Sequence, residues 1–192
     1  MKYYHGSTVG GLTELEPRLP FGGPSQEPRV YLTTSRQLAL HYIWDVERLA
    51  LKMPMLKILD DGTLIFQEMF SGALEYFYKG VSGYIYCCEG DFPVDSAVLT
   101  SVSTDQPVPI VGCEYIDDVY EHILQYEKQG KFIYEHYEDL PQWRRDVIRG
   151  HVIRMIKRFD LMKDDDHPGR GFPGDASESQ RPKASVLREI HK

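Results

Sequence analysis

At 192 residues, with 42% hydrophobic and 27% charged side chains, the chain is long enough to bury a core of its own and has the balance of a globular domain. Its formal net charge of −7 argues against a nucleic-acid surface, which rests on clustered Lys and Arg. Cys87, Cys88 and Cys113 form no spaced framework, no apolar run suits a bilayer and no signal-peptide core opens the chain, so a cytoplasmic protein with no membrane partner is expected.

Residues 2–5 read as a short aromatic strand opening into Gly6. Gly and Pro punctuate the stretch from Gly10 to Pro28, which reads as an irregular loop. Val30 to Thr33 is the next strand. A helix is expected from Thr34 or Ser35 to Met53, ended by Pro54, with Leu38, Tyr42, Val46, Leu49 and Met53 along its apolar face. Met55 to Phe70 predicts a hairpin turned at Asp61-Gly62, followed by a short helix over Gly72 to Tyr78. Strands are expected at Gly83 to Cys88, Ala97 to Val102 and Pro107 to Tyr115.

Past Asp117 the pattern becomes helical, with Asp118 and Glu121 placed as a capping box and Gly130 as a stop. Phe132 to Tyr137 and Trp143 to Phe159 are expected as further helices, the second entered through Pro141. The basic side of that last helix (Arg144, Arg145, Arg149, Arg154, Lys157, Arg158) suits a solvated face, with an acidic partner or nucleic-acid contact as the alternative. The polar tail from Asp164 is too poor in apolar residues to offset its ordering entropy, so disorder or partner-dependent folding is expected. The three cysteines read as buried strand residues. The seven histidines show no paired ligand spacing on a helix, so no metal is expected.

Tyr3-Tyr4-His5-Gly6-Ser7-Thr8, Val30-Tyr31-Leu32 and Tyr42 occur in an order that resembles the NAD-binding core of the ADP-ribosyltransferase superfamily. The likeness is to its His-Tyr branch, which holds the poly(ADP-ribose) polymerases and the rifampin ADP-ribosyltransferases. Gly83-Tyr84-Ile85-Tyr86 and the Gln106 to Gly112 segment resemble later strands of the rifampin enzymes. The resemblance implies an α+β fold, a split sheet with flanking helices. It covers about residues 2–116 and makes residues 1–116 the NAD-binding core; the residue pattern alone marks 117–162 as a helical C-terminal region packed on that core and 163–192 as a polar tail. The resemblance also implies that His5 binds ribose, that the Gly6 backbone grips the carboxamide with Ser7 beside it in the cofactor site, and that Tyr31 and Tyr42 pack on nicotinamide. Its third site position, an acid in the relatives, falls on Gln106 (beside Asp105) by one alignment and on Asp95, or less well Asp91, by another. The serine usual between the two tyrosines is Ala39 here.

The chemistry asks for such groups. Breaking the nicotinamide–ribose bond develops positive charge at the anomeric carbon, so the site must orient the ribose and place an accepting group nearby. A tyrosine face attracts the cationic pyridinium by roughly 0.5–2 kcal/mol. The implied activity is NAD-dependent mono-ADP-ribosyl transfer, with NAD as substrate, nicotinamide as leaving group and a protein, nucleic acid or small molecule as acceptor. Two alternatives stay open: a catalytically silent NAD-binding or protein-interaction module of the same fold, and an RNA 2′-phosphotransferase. The acidic balance speaks against the second.

Overall fold

Alternation along the first strand, β1 (Lys2–Ser7), sorts its side chains into two environments and thereby organises the molecule. The computed structural model describes residues 1–19, 27–44, 56–58, 64–93, 101–130 and 132–158. After β1 come β2 (Glu14–Leu15), β3 (Val30–Thr33), α1 (Arg36–His41), β4 (Leu56–Ile58), β5 (Leu64–Gln67) and α2 (Ala73–Tyr78). Then follow β6 (Gly83–Glu89), β7 (Ser101–Thr104), β8 (Val108–Ile116), α3 (Val119–Lys128), β9 (Ile133–Glu135), a 3-10 turn (Tyr137–Asp139) and α4 (Gln142–Arg158). The protein is mixed α/β in class. No helix among the described residues is long and apolar enough to cross a membrane.

Six strands pair in the order β2-β8-β6-β1-β3-β7, antiparallel throughout. In a flat sheet β8 and β7 would lie roughly 19 Å apart, four spacings of about 4.8 Å. Yet only Asp105, Gln106 and Pro107 connect them, a reach of about 14 Å at most. The sheet must therefore curl. Every one of its strands sends a residue to the concave side: Tyr3, Leu15, Val30, Leu32, Tyr86, Cys88, Val102 and Val108 form one buried cluster.

On the convex side Ile85 and Ile116 join Ala39, Leu40, Ile43, Leu74, Phe77 and Ile123 in a second core, beneath α1, α2 and α3. Two glycines make that helix layer fit. A Cβ on Gly6 would run into the Ala39 carbonyl oxygen and stand 3.0 Å from Ile43 Cγ1; one on Gly83 would lie 2.6 Å from the Ser7 carbonyl oxygen and closer still to Ile43. Bare backbone on β1 and β6 is what lets α1 and Ile43 sit down. Phe66 of the small β4-β5-β9 sheet extends the same core.

The helix starts follow their caps. Ser35 Oγ accepts from Leu38 N at 3.1 Å to open α1. Asp118 accepts from Tyr120 N at 2.9 Å and Glu121 N at 3.4 Å, and its other oxygen takes the Gly80 N–H at 3.0 Å. Gly130, with φ of 63°, lies just past the end of α3.

Two expected helices are corrected. The one from Ser35 ends at His41, because Tyr42 N turns to Ala39 O and Ile43 N to Leu40 O, a tightened last turn that drops Ile43 onto the glycines. Residues 45–53 of that expected helix lie outside the described ones. The helix expected over Phe132 to Tyr137 is instead β9 and the start of the 3-10 turn. Ile133, Tyr134 and Glu135 pair in parallel with Ile65, Phe66 and Gln67, and that ladder overrides local helix preference. Of the three cysteines expected to be buried, Cys88 is, Cys87 is half-buried and Cys113 is exposed. The Asp61-Gly62 turn, residues 97–100 and the tail lie outside the described residues.

Candidate functional site

β1 follows β6 through six register pairs, from Lys2↔Glu89 to Ser7↔Tyr84, but meets β3 at one, Tyr4↔Thr33. Beyond that pair no further backbone register joins β1 to β3, and His5 bridges the gap with its side chain: Nδ1 stands 2.9 Å from the Tyr31 carbonyl oxygen. A carbonyl only accepts, so Nδ1 carries the ring proton. Burial pushes the imidazole below its ordinary pKa, against the raising effect of that hydrogen bond, and the Arg18 guanidinium depresses it further. The ring is thus neutral near pH 7, and its Nε2 is left as a hydrogen-bond acceptor.

The remaining expected contacts distribute unevenly. His5 shares the parity of Tyr3, hence the concave face; Tyr31 is out of phase with Val30 and Leu32, hence on the convex side. The two side chains leave the sheet on opposite faces, joined through the Tyr31 backbone. Gly6 has its bare Cα against α1, so its lack of a side chain is explained by packing. Ser7 Oγ accepts from Val9 N at 3.1 Å and shapes the bend after β1. Tyr42 caps the C-terminus of α1, is 41% exposed and meets Trp44 edge-on at 5.7 Å. It does not continue the buried helical face that its spacing suggested. Ala39 is fully buried beneath Gly6.

Gln106 sits in the β7–β8 turn, exposed, with its backbone N–H on Thr104 Oγ1 at 3.1 Å and its amide on Asp105 Oδ1 at 3.3 Å. Thr104, before the turn, pairs with Val30 of β3, whereas Val108, after it, lies two residues ahead of Ile110, which pairs with Cys88 toward the Lys2 end of β1. Asp95 lies outside the described residues. Asp91, just past β6, is exposed.

Sequence reasoning passed over a second polar assembly. His41 is 4% exposed, its Nδ1 2.7 Å from Gln37 O and its Nε2 3.0 Å from Tyr134 OH, and it stacks on Phe132 at 4.7 Å. Burial lowers its pKa to about 4. Nearby, the buried Glu68 carboxylate accepts from Leu74 N at 2.9 Å and Tyr137 N at 3.1 Å and faces His136 Nδ1 at 3.5 Å. His136 Nε2 reaches Glu127 at 2.5 Å. His41 and Tyr134 are 93 residues apart in sequence, and Glu68 and Tyr137 are 69, so no local spacing announces these pairs. Among the described residues no group of three or more His, Cys, Asp or Glu is placed to hold a metal.

Comparison with family models, with characterised proteins and with solved structures finds no match.

Proposed function

We propose that this protein is an NAD-dependent mono-ADP-ribosyltransferase working where β1 and β3 part. The observation that carries the reading is the His5 Nδ1 hydrogen bond to the Tyr31 backbone, which ties together two residues the sequence resemblance had singled out. A ligand entering the parting meets His5 from one face and the Tyr31 ring from the other. His5, neutral and protonated on Nδ1, accepts a hydrogen bond from a ribose hydroxyl at Nε2 and orients the sugar. Tyr31 offers its ring face to the pyridinium. The C1′–N bond then breaks with its electron pair leaving on nicotinamide. The acceptor's nucleophile bonds to C1′ and gives its proton to solvent.

The reading competes with a silent module of the same architecture. Two observations favour the rival: Gly6 is accounted for by helix packing, and the Gln106 amide is engaged with Asp105. Nicotinamide release from NAD, with cell extract as acceptor source, separates them. Enzyme activity that falls about 10²-fold in both His5→Ala and Tyr31→Ala supports transfer at this site. Unchanged turnover in both variants removes the site assignment. Thermal stabilisation by NAD without nicotinamide release selects the silent module.

A further inference from the structure

The concave face does not stop at His5. In antiparallel pairing, directly opposed residues share a face, so the register Ser7↔Tyr84↔Tyr115 lays one row across β1, β6 and β8, next to the row His5↔Tyr86↔Cys113. Tyr84 and Tyr115 stand with ring centroids 5.3 Å apart, tilted by 55°, and Tyr84 stacks on Tyr86 at 6.0 Å and 22°. Tyr86 is anchored: its hydroxyl donates to Val9 O at 2.8 Å and accepts from Leu12 N at 3.3 Å. Gly10 lies so close to the Tyr84 ring that an added Cβ would stand 2.7 Å from it, which fixes that ring's position. Tyr115, by contrast, is 59% exposed.

We infer that Tyr115, backed by Tyr84, forms a stacking platform for the adenine ring of the dinucleotide whose ribose His5 orients; this rests on the function proposed above. The charged neighbour Glu114 alternates to the other face and is held by Arg36, so the platform itself is uncharged. Such a surface suits a neutral aromatic base rather than a phosphate. Two strand spacings, about 10 Å, separate Ser7 from Tyr115, which puts the base beyond the ribose rather than on it.

The test is calorimetric titration of NAD and of nicotinamide mononucleotide, which lacks adenine, into the wild-type protein, Tyr115→Ala and Tyr115→Phe. The expected result is NAD binding weakened about tenfold in Tyr115→Ala, retained in Tyr115→Phe, with the mononucleotide unchanged in all three. NAD binding that is equal in Tyr115→Ala and wild type overturns the platform and leaves the proposed function standing. Equal loss for both ligands also overturns it. Failure of wild type to bind either ligand overturns the proposed function, and the platform with it. Self-association of wild type that disappears in Tyr115→Ala while NAD affinity stays constant assigns the surface to a second copy of the chain and overturns the platform.

Discussion

His5 and His41 are both held through Nδ1 by a main-chain carbonyl, Tyr31 O at 2.9 Å and Gln37 O at 2.7 Å. In both the ring proton is therefore fixed on Nδ1. The difference lies at the other nitrogen. His41 Nε2 accepts from the Tyr134 hydroxyl at 3.0 Å within a fully packed aromatic cluster, so both of its hydrogen-bonding positions serve the fold. His5 is half-buried at the place where two strands separate, with Nε2 available to a ligand hydroxyl. A buried histidine becomes architecture when the protein satisfies both nitrogens, and a site candidate when it satisfies one.

The comparison breaks most severely at Gly6. Gly6→Ala forces a Cβ against the Ala39 backbone, which cannot yield like a side-chain tip, and is expected to cost about 3 kcal/mol or more in a denaturant melt. A wild-type melting curve in that variant would return Gly6 to a purely ligand-facing role.

Titration sharpens the contrast next. His41 is depressed when folded, so the unfolded chain takes up its proton first as pH falls. Its contribution is fully present above about pH 6.5 and is lost progressively toward pH 4, a change of about 3 kcal/mol. His5, also depressed, acts in the same direction. His136 acts in reverse. Burial opposes its charge, but the bonds and charges of Glu127 and Glu68 outweigh that and raise its pKa. Its contribution is present below about pH 6.5 and fades as pH rises through the raised value. Unfolding free energy measured against pH should fall on the acid side of 6.5 in the wild type and fall less steeply there in His41→Phe, with the His5 contribution remaining.

Glu68→Gln is expected to cost about 2 kcal/mol, because both carboxylate oxygens accept backbone N–H groups and an amide must turn its own NH2 toward one of them. Chemical denaturation at pH 7 measures it. Arg36→Ala, which removes a two-pronged bond to the exposed Glu114 and a contact to Tyr126, should cost no more than about 1 kcal/mol, and less at high salt.

Strand positions at Tyr3, Val30, Ile85 and Val108, the Ser35 and Asp118 caps and the Gly130 stop were all legible in the amino-acid order, because alternation, capping and turn chemistry act over a few residues. The juxtaposition of His5 with Tyr31 was suggested by motif order, but its form, imidazole to backbone with rings on opposite faces, depends on the register Tyr4↔Thr33. The end of α1 at His41, the strand at Ile133 and the closure of His41 by Tyr134 were decided by tertiary structure alone. Each depends on a ladder or core contact between residues far apart in the chain, and its stabilisation exceeds the small local preferences that periodicity can read.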